Sequence, residues 1–139
     1  MPNDRELRPI DLDKYRWKSR LFLIFAPSHE DGDYLRQSSE FDGAAHELQD
    51  RDIVVIELLE TGRSTMGALP MANEEQSVLR RRFEVPADGF CFILIGKDGA
   101  VKLRSKQPVG SGDLFELIDS MPMRKEEMRG KAGGPVDRD

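Results

Sequence analysis

The sequence predicts an α/β fold: a four-stranded mixed sheet with helices, in the order β-α-β-α-β-β-α. Three observations lead there. Two short, almost wholly apolar runs, LFLIFA (residues 21–26) and DIVVIELL (52–59), lie a helix length apart, as expected of parallel strands covered on both faces. Between them Tyr34 or Leu35, Ser38, Phe41, Ala45 and Leu48 recur at helical spacing, so a helix over 31–50 makes the crossover. Farther on, GFCFILIGKDGAVKLRS (89–105) has the chemistry of an antiparallel hairpin. An apolar strand meets a tight Lys97-Asp98-Gly99 turn, and Val101, Lys102, Leu103 and Arg104 then alternate.

The remaining elements follow in order. ETGRSTMGALPM (60–71) mixes glycine, proline and hydroxyl residues without a period, so it reads as a loop. NEEQ (73–76) has the form of a capping box, with Asn73 accepting from the third helical N–H and Gln76 reaching back, and opens a short helix to about residue 84. The last long helix starts after GSGD, buries Leu114, Leu117, Ile118 and Met121, and stops at Pro122. Ser120 is placed to cap a second short helix over 122–129. Residues 1–13 are expected to be a flexible N-terminal segment, 14–129 the folded domain and 130–139 a disordered tail.

Composition narrows the function classes. A chain of 139 residues fits one domain, which buries roughly two-thirds of its unfolded surface. The formal charge of −5 argues against nucleic acid and anionic membrane as partners. No apolar run reaches the roughly 18 residues of a membrane helix. MPNDRELRPIDLDKY lacks the apolar centre of a signal peptide, so the chain as written is expected in the cytoplasm. Cys91, the single cysteine, excludes an internal disulfide and a multi-cysteine metal site.

The element order is that of the thioredoxin-like fold, with three α/β/α layers. YRWKSRLFLIFAP, LIGKDGAVKLRS and LIDSMPMRKEEM resemble the signature segments of the DUF4174 family, a domain also found repeated in certain animal extracellular-matrix proteins. The likeness spans about residues 14–129, and GKDG with MPMR at this separation is specific. It implies a thioredoxin-like fold related to peroxiredoxins, with no established activity, and it makes export an alternative to the cytoplasm.

Redox chemistry in such a fold needs a thiolate at the start of the first helix, where free N–H groups and the helix dipole lower its pKa. Residues 26–31 are Ala-Pro-Ser-His-Glu-Asp, with neither a Cys-x-x-Cys nor a Thr-x-x-Cys pattern. Where thioredoxins carry the proline that shapes the active site stands Phe90, and Pro86 comes several residues too early. Cys91 reads as a small apolar core residue. A peroxiredoxin-like oxidoreductase is therefore the least favoured reading.

Two regions carry other candidates. At the junction of the first strand and first helix, His29, Glu30, Asp31 and Asp33 occupy the usual ligand position of α/β sheets. They suit an acid–base or metal-assisted hydrolase, whereas the plainer reading has Asp31 as helix cap and His29 in solvent. GRSTMG (62–67) leaves the second strand at the same end and reads as a mobile loop more than an anion cradle. RRR (80–82) reads as the solvated face of a short helix.

The opposite end is basic. Lys14 to Arg20 holds four bases and no acid, Lys97 to Lys106 four bases and one acid, while residues 28–50 carry seven acids and only Arg36. Trp17, Lys18, Arg20, Lys97, Lys102, Arg104 and Arg124 form the candidate site for an acidic ligand or partner, with Trp17 as apolar anchor. The structural alternative has Trp17 and Met121 covering the core, and Asp98 or Asp119 paired to Arg20 or Arg124. The resulting expectation is a redox-inactive binding module that needs no cofactor and no metal, its partner an acidic ligand or protein.

Overall fold

The computed structural model describes residues 11–67 and 69–131. The chain divides into two compact units between Pro108 and Val109. In the first, a turn of 3-10 helix (Leu12–Tyr15) leads to β1 (Arg20–Ala26), α1 (Gly32–Glu40), α2 (Ala45–Asp50), β2 (Ile53–Leu59), β3 (Thr65–Met66), β4 (Leu69–Pro70), α3 (Asn73–Arg82), β5 (Cys91–Ile95) and β6 (Val101–Ser105). The second unit holds α4 (Ser111–Asp119) and α5 (Pro122–Lys131).

The sheet has six strands in the order β4-β3-β2-β1-β5-β6, two more than expected. β1 is central, parallel to β2 and antiparallel to β5. All seven of its residues are buried, which is why its sequence shows no alternation. On one face Leu21, Leu23 and Phe25 join Ile56, Leu58, Ile93 and Leu79 in the main apolar cluster. On the other, Phe22 stacks on Phe41 at 5.3 Å and meets Phe92 edge-on at 5.1 Å between ring centres.

Four expectations are corrected. The segment read as a loop contains β3 and β4, because Ser64 turns the chain back: its buried hydroxyl accepts from Leu59 N–H at 2.9 Å, and β3 then pairs with Ile56 and Glu57. The single helix over 31–50 is two, interrupted where Gly43 takes a φ of +73° and Phe41 turns its ring onto Phe22. Asn73 is not a cap: Ala72 holds that position with no side-chain hydrogen bond, and the Gln76 amide oxygen instead accepts from Arg80 Nε at 2.7 Å. Ser120 ends α4 rather than opening α5, its hydroxyl donating to the Leu117 carbonyl at 2.6 Å.

At the N-terminal edge of the fold, Asp11 caps the 3-10 turn and Leu12 is buried in the main cluster. The expected tail lies outside the described residues from position 132 onward.

Candidate functional site

The end of the sheet where β1 and β2 begin is organised by basic residues, several of them buried. Arg20 is 1% exposed; its backbone N–H donates to Asp52 O at 2.8 Å and its Nη1 to Arg51 O at 2.8 Å. Lys97 is buried and its Nζ pairs with the Asp52 carboxylate at 2.8 Å. These two cations therefore hold the α2–β2 turn, where Asp52 itself adopts a φ of +53°. Lys102 Nζ donates to Asp98 at 2.8 Å, and that bond holds the Asp98 carboxyl below its ordinary pKa. Arg104, expected with them, does not join this end: it sits opposite Ile93 in β6 and donates to the carbonyls of Phe83 and Glu84 after α3.

Trp17 differs from all of these. It does not cover the core as the structural alternative expects: the residue is 59% exposed. Its φ is +68°, a left-handed conformation that costs a bulky residue about 1–2 kcal/mol. The conformation is held by a main-chain bond from Trp17 N–H to Lys97 O at 2.6 Å, and by Lys18 and Ser19 N–H both donating to Tyr15 O at 2.9 Å. Arg16 lies across the hairpin turn, where a Cβ on Gly99 (φ +87°) would stand 2.8 Å from its Nε. Lys14 and Lys18 are exposed on either side. The exposed part of this tip is thus the indole, with Lys14, Arg16 and Lys18 exposed in the same loop; among the described residues Arg16 shares an exposed pair with Asp13 at 3.4 Å.

Arg124 and Met121 belong to the second unit. There Arg124 is buried, its Nε bonded to Asp119 at 2.8 Å, with Glu127 at 3.7 Å from Nη1. The Arg124–Asp119 pair is the internal one that the structural alternative described.

At the opposite end of β1, Asp31 accepts from Tyr34 N–H at 3.0 Å and caps α1. Asp33 pairs with Arg36 one turn on. Glu30 and His29 are exposed, and the His29 ring stands edge-on to Tyr34 at 5.5 Å. Tyr34 in turn donates to Glu57 Oε1 at 2.9 Å; burial, reinforced by that bond, pushes the phenol well above its ordinary pKa. Among the described residues no three His, Cys, Asp or Glu side chains group to hold a metal. Cys91 is buried in the main cluster, and burial raises its thiol pKa, with Arg104 and Lys106 opposing.

Sequence reasoning missed Arg80. Expected on a solvated face, it is 4% exposed, with Nε bonded to Gln76, Nη1 to Pro86 O at 2.7 Å and Nη2 to Ala26 O at 2.6 Å and Leu58 O at 3.3 Å. It satisfies carbonyls where β1 and β2 part. Its spacing of four from Gln76, next to buried Leu79, is the signal that could have found it.

A family profile described as "Domain of unknown function (DUF4174)" matches residues 11–127. The chain belongs to the DUF4174 family. Among curated proteins this DUF4174 chain is similar to "Coiled-coil domain-containing protein 80" of Danio rerio, at 32% identity over 84% of the chain and 15% of the relative. It is similar also to "Sushi repeat-containing protein SRPX" of Rattus norvegicus, at 34% identity over 84% of the chain and 26% of the relative. It spans about a quarter or less of these longer proteins.

Solved structures identify the fold of the DUF4174 domain as that of thioredoxin-like peroxiredoxins. The reduced 2-Cys peroxiredoxin of Plasmodium vivax superposes with a TM-score of 0.60 at 13% identity, covering 84% of this chain and 85% of that one. A PrxQ mutant of Xylella fastidiosa gives 0.60 at 13% identity, over 95% and 94% of the two chains. At such identity the likeness concerns the fold alone. No helix among the described residues is long and apolar enough to cross a membrane.

Proposed function

We propose that this DUF4174 domain is a redox-inactive binding module whose Trp17 tip docks an acidic protein partner. The observation that carries the reading is Trp17 itself: an exposed indole on a left-handed backbone, locked by Lys97 O. Unfavourable conformations persist where the surrounding structure over-determines them, and they concentrate at functional sites. An exposed tryptophan in a loop that also exposes Lys14, Arg16 and Lys18 has the composition of an interface anchor. Lys14, Arg16 and Lys18 give the tip a positive field on a chain of net charge −5, so they favour acidic partners and speed encounter.

In this reading Arg20 and Lys97 position the tip from beneath. Lys18 supplies charge, Lys102 steadies the hairpin turn through Asp98, Arg104 is engaged with the Phe83 and Glu84 carbonyls, and Arg124 serves its own unit. The small share of the longer relatives that the chain covers suits a module within larger proteins. The family's presence in animal extracellular-matrix proteins supports export as its setting. An acid–base role for His29, Glu30 and Asp31 has less support, since Asp31 is committed to the helix cap.

Trp17 is the single tryptophan, so its fluorescence reports the site directly. Titration with a glutamate-rich peptide carrying a central leucine should shift and enhance the emission, with affinity falling as salt rises. Lys14→Glu with Lys18→Glu should abolish the response. An emission indifferent to the peptide at low salt would refute the docking role.

A further inference from the structure

Where β1 and β2 end, a cleft of about 440 Å³ opens between α3, Glu60 and the segment leading to β5. Binding of acidic partners at Trp17 makes no use of it. Arg80 lines it; its guanidinium stands over the Phe25 ring at 5.7 Å and feels the carboxylates of Glu60 and Asp88, but its hydrogen bonds reach no anion. Its four bonds all go to neutral acceptors, namely Gln76 and the carbonyls of Pro86, Ala26 and Leu58. Of its five N–H groups one on Nη1 has no acceptor among the described residues. The carboxylate within ion-pair range, Glu60, stands 3.8 Å from Nε and is not hydrogen-bonded to it. A buried cation so placed gains from a further anion.

The rest of the lining has both signs. Ser77 and the exposed Arg81 add donors beside Arg80, while Glu60 and Glu84 present carboxylates. Glu84 holds a φ of +56°. That backbone is over-determined: Val85 N–H donates to Arg80 O at 2.8 Å, and Arg104 grips the Phe83 and Glu84 carbonyls from the far side. Val85, Pro86 and Ala87 supply an apolar wall.

These groups select by charge. A simple anion drawn to the arginines meets two carboxylates, and a simple cation drawn to the carboxylates meets two arginines. A small molecule carrying both charges a few bonds apart satisfies all four, and an apolar side chain suits the wall. The cleft volume is within the lower range of small-ligand sites. We propose that this cleft binds a free α-amino acid with an apolar side chain, its carboxylate toward Arg80, Arg81 and Ser77 and its ammonium toward Glu60 and Glu84.

Calorimetric titration of the whole chain tests this with valine, leucine and phenylalanine, against isovalerate, which keeps only the carboxylate, and isoamylamine, which keeps only the ammonium. Leucine or one of its companions should bind saturably at millimolar concentration or below, with isovalerate and isoamylamine each at least about tenfold weaker. Arg81→Gln and Glu84→Gln, both at exposed positions, should each weaken amino-acid binding by about tenfold without moving the thermal midpoint. Ala87→Trp, which fills the cleft from its wall, should abolish it. No saturable binding by any of the three amino acids overturns the proposal, as does isovalerate or isoamylamine binding equal to theirs. Binding that survives Ala87→Trp in a folded protein places the ligand elsewhere and overturns it too.

Discussion

The main-chain N–H of Trp17 and the carbonyl of Lys97 meet at 2.6 Å, so a backbone bond fastens the loop before the first strand to the hairpin turn. The bond needs neither side chain. The indole is left outside, and the lysine turns its ammonium inward to Asp52. The first prediction follows from this. Glycine adopts a φ of +68° without the steric cost that tryptophan bears, so Trp17→Gly should leave stability unchanged or raise it by up to about 1 kcal/mol in urea denaturation. It should nevertheless remove binding of the acidic peptide. A loss of stability comparable to deleting a buried aromatic would show that the ring is packed.

Lys97→Met tests the other partner. The ammonium is buried but Asp52 is half exposed, so solvent already screens the pair. The expected loss is about 1–2 kcal/mol. Urea midpoints should fall at neutral pH in both low and high salt. Unchanged stability would mean that the Lys97–Asp52 pair contributes nothing net beyond what the buried methionine restores.

Arg80→Met should be among the most destabilising single changes in the first unit. It strips bonds from three carbonyls and from Gln76, a penalty of about 3–5 kcal/mol. Thermal denaturation should show the drop, and Arg80→Lys should recover little of it because one ammonium cannot span the same acceptors.

Tyr34 links stability to alkaline pH. Its pKa is raised in the folded chain, so between the unfolded value of about 10 and the higher folded value the native state holds a proton that the unfolded chain has released. Stability from this group is complete below that range and falls as pH climbs through it. Tyr34→Phe should reduce the slope of stability against pH above about 10, with little change of slope at neutral pH. Equal slopes for the two proteins would remove the linkage.

Cys91 should behave as an inert thiol. Burial raises its pKa, so the thiolate is scarce at neutral pH and access is blocked as well. Alkylation should be very slow in the native protein and fast in denaturant. Peroxide turnover should equal that of Cys91→Ser; a higher native rate would restore a redox role.

Parts of this structure are written plainly in local sequence. β1 is legible because a strand buried on both faces has no polar interruption, and the Gly96–Gly99 turn because its residues are turn formers. Gly43 was visible too, yet the helical period runs across it, and only the stacking of Phe41 on Phe22 reveals that the helix must break. β3 was not legible, since its pairing depends on Ser64 finding Leu59 across a turn of otherwise ordinary loop composition. Trp17 was legible only as two alternatives, exposed anchor or core cover, because aromatic residues usually pack and a positive φ leaves no mark in a sequence. Arg80 was hidden by its neighbours, because three successive arginines look alike until one is placed on the buried side of α3.

The short β3–β4 hairpin finishes one margin of the sheet in an unusual way. Its outermost strand is two residues long and ends in Pro70, which has no N–H to offer a newcomer. A neighbouring strand arriving there would find almost nothing to continue the ladder. Such a blunt margin is a safeguard: neighbouring molecules are discouraged from zipping together side by side on that flank, so the sheet stays closed to strangers even when many copies are crowded together.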